Sequence, residues 1–263
     1  MNILFVIIGE SFRKGGQGSR IVGSDSSYTE QIKASNSHIN LINHLIIKNN
    51  VVNIDISLST YQTKFTENLV EVYQDHLIKT NMLEKPIGLT NIFRNSLKDI
   101  LFRDTNGLRS LWCNSIKKGF NKYECIFYLR VDLFLKPKFF DLFDPFSKTI
   151  QFPCVCWKKD SVEKGHPRVS DVMMLFPQKY FYLLNKINIG HETWAEFVDR
   201  FRLSYDDLGT MLKTYHDSDS AKDYNPIYFI VNRSQCTTWH SKDYIFNKNQ
   251  YNSNSRTNSL WKK

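Results

Sequence analysis

Residues 123–135, Tyr-Glu-Cys-Ile-Phe-Tyr-Leu-Arg-Val-Asp-Leu-Phe-Leu, constrain the fold more than any other stretch of the chain. The run is apolar nearly throughout. Strands written this way are covered on both faces, as strands at the centre of α/β sheets are. Yet the run carries Arg130 and Asp132, which share one face of a strand over 123–135 because successive side chains alternate. Placing an ion in apolar surroundings costs on the order of several kcal/mol unless it is paired, hydrogen-bonded or bound to something. In open α/β sheets ligands sit beyond the carboxyl ends of the strands. The pair therefore either closes the sheet edge as a simple Arg–Asp pair or meets a ligand there. Lys136-Pro137-Lys138 ends the strand.

The rest of the chain builds a sheet around this strand. Residues 2–9 form a second continuous apolar run, ending on Gly9 and followed by Glu10-Ser11-Phe12-Arg13 and a loop with Gly15, Gly16, Gly18 and Gly23. Apolar spacing predicts a helix over 29–48 through Ile32, Ile39, Leu41, Ile42, Leu45 and Ile46. A strand over 51–58 is closed by Ser59-Thr60-Tyr61. Helices are expected over 66–78, 90–102 and 108–120, with a turn signal at Asp104-Thr105-Asn106-Gly107. Strand, helix, strand, helix, helix predicts a parallel, doubly wound nucleotide-binding half. Farther on, the sequence predicts a strand over 149–156, a polar loop with Gly165-His166-Pro167-Arg168, and the segment Val169–Phe176. Helices over 178–187, 194–201 and 206–215 and a last strand over 226–231 complete the pattern. No repeat or linker interrupts it, so one domain is expected over 1–247, with a polar tail over 248–263.

Composition narrows the partners. Lys and Arg outnumber Asp and Glu by 35 to 26, a net charge of +9 that favours anionic ligands. The basic residues form no run of five, so the excess reads as general surface charge and no nucleic-acid partner is expected. Five cysteines cannot all pair within one chain, and Cys154-Val155-Cys156 alternates across a strand, unsuited to a local disulfide or a zinc knuckle. Reduced, packed thiols point to a reducing compartment. The apolar start, 3–8, is far too short for a membrane span and reads as the first core strand. A soluble, cytoplasmic protein is expected, not a secreted one, with peripheral membrane contact left open.

With these segments in view the sequence resembles GT-A-fold glycosyltransferases, particularly those encoded by large DNA viruses and related bacterial glycan-assembly enzymes. Three segments carry the resemblance, in order: the opening strand with Gly9-Glu10-Ser11-Phe12-Arg13, the apolar strand ending Arg130-Val131-Asp132, and Ser170-Asp171 before Val172–Phe176. They span most of the first 180 residues. The resemblance implies an α/β, GT-A-like fold, with a Rossmann-like nucleotide-binding half and a mixed, mainly parallel central sheet flanked by helices. Residues 1–135 would bind a nucleotide-sugar donor (a UDP- or GDP-sugar) and 136–247 a glycan acceptor. Frequent Asn, Lys, Ile, Phe and Tyr hint at an AT-rich genome, in keeping with a viral source and a host cytoplasm.

In such enzymes the central strand usually ends in Asp-x-Asp, whose carboxylates hold a divalent metal, Mn or Mg, against the donor diphosphate. Here Arg130 stands where the first Asp would be. Either Asp132 ligates a metal with help from a residue such as His240, or Arg130 itself neutralises phosphate and Asp132 binds the donor ribose or sugar. Gly9, Glu10 and Arg13 of the opening motif are expected at the donor site, as are Thr60 and Tyr61 at the end of the second strand, whose alternative is an ordinary strand terminus. Asp171 is expected as the catalytic base or acceptor-orienting carboxylate, its alternative being a helix N-cap. His166, Arg168 and Asp207 are expected to line the acceptor side. Competing classes are a sugar nucleotidyltransferase, a nucleic-acid binder and a non-catalytic carbohydrate-binding module. The last leaves Arg130 and Asp132 unexplained.

Overall fold

The computed structural model describes residues 1–12, 23–84, 89–101, 122–135, 140, 144–148, 150–151, 173–186 and 227–229. Its centre is a five-stranded sheet in the order β3-β2-β1-β4-β6, with a separate two-stranded pair, β5-β7. The strands are β1 (Asn2–Gly9), β2 (Asn53–Tyr61), β3 (Leu77–Leu83), β4 (Cys125–Arg130), β5 (Leu133–Leu135), β6 (Met173–Pro177) and β7 (Ile227–Phe229). β1 to β4 run parallel, and β6 pairs antiparallel with β4 from Cys125↔Pro177 to Leu129↔Met173. The helices are α1 (Tyr28–Asn49), α2 (Thr66–Tyr73) and α3 (Leu89–Leu101). This is the α/β arrangement expected of a GT-A-like chain: a mixed, mainly parallel sheet flanked by helices.

Burial follows the alternation of the strands. Ile3, Phe5 and Ile7 of β1, Ile54, Ile56 and Leu58 of β2, and Cys125, Phe127 and Leu129 of β4 form one core with Leu41, Ile42 and Leu45 of α1 and Leu69 and Tyr73 of α2. Phe5 and Phe127 meet edge to face there, 5.2 Å between centroids. On the opposite face Tyr128 meets Phe93 of α3 at 5.4 Å, and Ser59 of β2 shares a hydrogen bond with Ser96 of α3. The expected burial of both faces of β1 and β4 is met, since every residue from Ile3 to Ile8 and from Ile126 to Leu129 is essentially inaccessible. Cys125, within this core, is a free thiol whose pKa burial pushes well up, with the charges of Asp144 and Glu124 adding to the effect.

Three expectations need correction. The helix predicted over 66–78 ends at Tyr73. A 3₁₀ turn, Gln74–His76, leads into β3, an edge strand whose Lys79, Thr80 and Asn81 hide it in a polar stretch. The single strand predicted over 123–135 is two: β4 stops at Arg130, and Val131 and Asp132 form a turn before β5. Asp132 therefore stands on a turn, not on the strand face of Arg130. The helix predicted over 178–187 is a 3₁₀ segment, Gln178–Lys186. The helices expected over 108–120, 194–201 and 206–215 and the tail after 247 lie outside the described residues. Among the described residues no helix is long and apolar enough to cross a membrane.

Candidate functional site

The chain leaves β1 through α1 to β2 and β3 on one side, and later returns through β4 on the other. The carboxyl ends of β1 and β4 are thus a topological switch point, where α/β sheets open a crevice for ligands. Gly9 ends β1 there with φ +133, a backbone conformation that L side chains rarely adopt. A Cβ on Gly9 would stand 3.5 Å from Val131 Cγ1, an ordinary contact. Glycine is required by the backbone, not by crowding. The Val131 N–H donates to the Ile8 carbonyl at 2.8 Å, so the turn after β4 lies directly against the end of β1.

The last residue of β4 and that turn together present the charge pair. Arg130 Nε donates to Asp132 Oδ1 at 2.8 Å and Nη2 to Oδ2 at 2.6 Å, a two-pronged ion pair. Arg130 is 6% exposed and Asp132 is 0% exposed. The Arg–Asp pair that the sequence leaves open as one alternative is therefore present. Planar bidentate pairing is what a guanidinium does best.

The loop after β1 is pinned from two sides. Ser11 N–H donates to Thr60 Oγ1 at 3.2 Å, and the Thr60 hydroxyl donates to Ser11 Oγ at 2.8 Å. Thr60 is wholly buried and its hydroxyl serves this joint, while Tyr61 and Glu10 are half-buried at the strand ends. Phe12 takes a left-handed φ of +51, buried among Tyr28 and Phe65 at centroid distances of 5.8 and 5.0 Å. Its N–H donates to Gln31 Oε1 at 3.1 Å, and Gln31 Nε2 donates to the Val131 carbonyl at 2.8 Å. Two turns of α1 farther, His38 Nε2 bonds the Leu133 carbonyl at 2.7 Å and Nδ1 bonds the Tyr73 hydroxyl at 2.7 Å. Burial holds His38 down at about 4; the Leu133 hydrogen bond and the Asp132 charge work in the opposite direction. Ser37 Oγ accepts from Leu135 N–H at 2.9 Å.

Sequence reasoning missed these α1 residues, although a signal for them exists. The buried face of α1 runs Gln31, Ala34, Ser35, His38, Leu41, Ile42, Leu45, at helical spacing. Its first half is polar where an ordinary core stripe would be aliphatic. Ile32 and Ile39, expected in the stripe, lie at its flank and are only partly buried. Of the expected site residues, the structure brings Gly9, Glu10, Thr60, Tyr61, Arg130 and Asp132 to the carboxyl end of the sheet. Arg13, His166, Arg168, Asp171, Asp207 and His240 lie outside the described residues.

A divalent metal finds no complete ligand set here. Among the described residues no group of three or more His, Cys, Asp or Glu side chains comes together. Both Asp132 oxygens already face a guanidinium, whose positive charge opposes a dication. The described residues alone do not fit a metal.

The fold is α/β, a mainly parallel sheet flanked by helices with a switch point at the carboxyl ends of β1 and β4. No protein-family model matches the sequence, and no curated protein matches it. Similar solved structures include the galactosyltransferase LgtC in complex with donor and acceptor sugar analogues, 9% identical, over 98% of this chain and 96% of that one, TM-score 0.36. The glycosyltransferase GlyE of Streptococcus pneumoniae is 10% identical over 99% of this chain and 63% of that one, TM-score 0.40. An inositol-1-phosphate CTP transferase from T. maritima is 12% identical over 97% of this chain and 95% of that one, TM-score 0.35. None of the three names a viral source, and the viral origin suggested by residue usage gains no support from them. All are weak likenesses, and the functional reading rests on the residues of this chain.

Proposed function

We propose that the chain is a nucleotide-sugar-dependent glycosyltransferase, one GT-A-like domain over 1–247, moving a hexosyl or pentosyl group from a UDP- or GDP-sugar to a glycan acceptor. The observation that carries the reading is the buried Arg130–Asp132 pair on the turn against Gly9, at the switch point of a mainly parallel sheet. Transfer builds positive charge on the sugar ring and negative charge on the departing diphosphate. A fixed cation aimed at that diphosphate lowers the barrier. Arg130 supplies it, with Asp132 fixing its orientation and accepting a donor hydroxyl. Gly9 offers bare backbone to the nucleotide, and Glu10, Arg13 and Tyr61 border it.

Asp171 remains the proposed base for the acceptor hydroxyl. Its support is the sheet register: β6 begins at Met173, which pairs antiparallel with Leu129, next to Arg130. The chain thus enters β6 from the end of the sheet where β4 delivers its charge pair. His166, Arg168 and Asp207 are proposed for the acceptor side. A Mn or Mg ion on Asp132 and His240 belongs to the same reading as an addition, and no step above depends on it.

A thermal-shift series with UDP, GDP and their sugar conjugates, each with and without Mn or Mg, tests the assignment. A ligand that binds only the folded state raises Tm. One nucleotide family is expected to stabilise the protein, and the metal arm reports whether an ion joins it. No shift at millimolar ligand overturns the reading. Stabilisation by a nucleoside triphosphate with a sugar phosphate, and not by sugar nucleotides, transfers it to a sugar nucleotidyltransferase.

A further inference from the structure

The two backbone segments that meet at the switch point, Gly9–Phe12 after β1 and Val131–Asp132 after β4, follow different strands and are far apart in sequence. Besides the bond from Val131 N–H to the Ile8 carbonyl beside them, the Gln31 side chain bridges them. Gln31 accepts from the Phe12 N–H with Oε1 and donates to the Val131 carbonyl with Nε2. Its own position is fixed by Ser35 Oγ, one turn along α1, at 3.4 Å from Nε2. Gln31 is 2% exposed, so these bonds are screened from water and each is expensive to leave unmade.

No smaller or apolar residue performs this task. A primary amide offers an acceptor and a donor a little over 2 Å apart on one rigid plane, about the separation needed to take an N–H from one segment and give an N–H to another. The bridge is also placed at two points where this backbone departs from regular geometry: the left-handed Phe12 and the turn that lifts Asp132 off β4. His38 repeats the device farther along, holding the Leu133 carbonyl from the same face of α1.

We propose that Gln31 is a positioning residue of the donor site, its amide locking the segment after β1 to the turn that carries Asp132. The inference rests on the donor-site reading above for its functional consequence, while the lock itself is a property of the free protein. Gln31 touches no ligand in this scheme. It sets the distance between the bare backbone at Gly9 and the Arg130–Asp132 pair, which a bound diphosphate must span.

Two variants and two readouts test it. Gln31→Met keeps volume and removes both bonds. Gln31→Glu keeps the acceptor, loses the donor while ionised, and regains it when acidification protonates the carboxyl. Amide hydrogen exchange on the free protein reads the lock directly. In Gln31→Met, exchange at Phe12 and across 131–135 is expected to rise at least tenfold while the β1–β2 ladder is unchanged. A rise spread evenly over the sheet, or none, overturns the proposal.

Titration with whichever of UDP or GDP stabilises the wild type reads the consequence. The Kd is expected to weaken about tenfold in Gln31→Met at every pH, as for two lost hydrogen bonds in a positioned site. In Gln31→Glu it is expected to weaken near pH 8 and to recover near pH 5, a profile that a purely packing role does not produce. An unchanged Kd in both variants overturns the positioning role. If neither nucleotide binds the wild type, the donor-site reading fails, and the exchange result alone decides whether Gln31 locks the two segments.

Discussion

Asp132 gives both carboxylate oxygens to a guanidinium two residues away, and neither group has more than slight access to water. Removing one partner takes a two-pronged ion pair away from a charge that stays buried. Asp132→Ala is expected to lower stability by about 3–5 kcal/mol, the cost typical of breaking a buried ion pair from one side. Lost activity in that variant would therefore say little about chemistry. The double variant Arg130→Met/Asp132→Leu removes both charges at similar volume and should recover most of the stability in urea unfolding. If the pair serves the donor, this refolded double variant shows no nucleotide-dependent rise in Tm. A full rise in its presence would assign the pair to structure alone. The same caution holds for Gly9, where any substitution acts first through a φ of +133 and only then through contact with a ligand.

At the scale of elements, α1 does more than cover the sheet. Its aliphatic half packs against β1 and β2, while its polar half holds backbone at Phe12, Val131, Leu133 and Leu135. His38 makes this half sensitive to acid. Its pKa is about 4 in the folded chain against 6.5 when unfolded, so the unfolded state takes up the proton first as pH falls. The neutral-histidine contribution is therefore complete above about pH 6.5 and is lost as pH falls toward about 4. Between pH 7 and pH 5 the loss should be roughly 2 kcal/mol, read from urea midpoints. A His38→Gln variant should show a flatter profile over that interval. An equal slope in the two proteins would remove His38 as its source.

The elements also show what the sequence discloses. β1, α1, β2, α3 and β4 follow from continuous apolar runs or helical spacing, because each buries a full face. β3 does not, because an edge strand is covered on one side and Leu77 and Ile78 continue the apolar pattern of the preceding helix. The break at Val131–Asp132 is equally hidden, since the apolar letters resume at Leu133 and nothing in them marks a turn. Arg130 and Asp132 stand out as charges in an apolar run. Gln31 and His38 do not, because one polar residue on a helix looks like its solvent side until the stripe is phased.

For the molecule as a whole, the two ends of the sheet are built differently. At the amino ends, Asp55 accepts from Lys122 Nζ at 2.6 Å, Tyr123 Oη at 2.5 Å and Asn53 Nδ2 at 2.8 Å, while Glu124 accepts from the Asn2 backbone. Burial alone would raise the Asp55 pKa, but its three donors outweigh that and hold it below the usual value. This end binds β1, β2 and β4 together and has no part in the proposed chemistry. Tyr123→Phe is accordingly expected to cost about 1–2 kcal/mol of stability and to leave the nucleotide-induced rise in Tm unchanged. A diminished rise would show that the two ends are coupled through the sheet.

The loop that follows β1 begins and ends at one place, because the Ser24 N–H donates to the Phe12 carbonyl at 2.9 Å. Doubling the length of such a segment adds only about 0.6 kcal/mol of closure entropy. A change of length between Phe12 and Ser24 is therefore expected to cost the framework little closure entropy. The clasp at Phe12 and Ser24 is thus a place where evolution can alter chain length at small entropic cost.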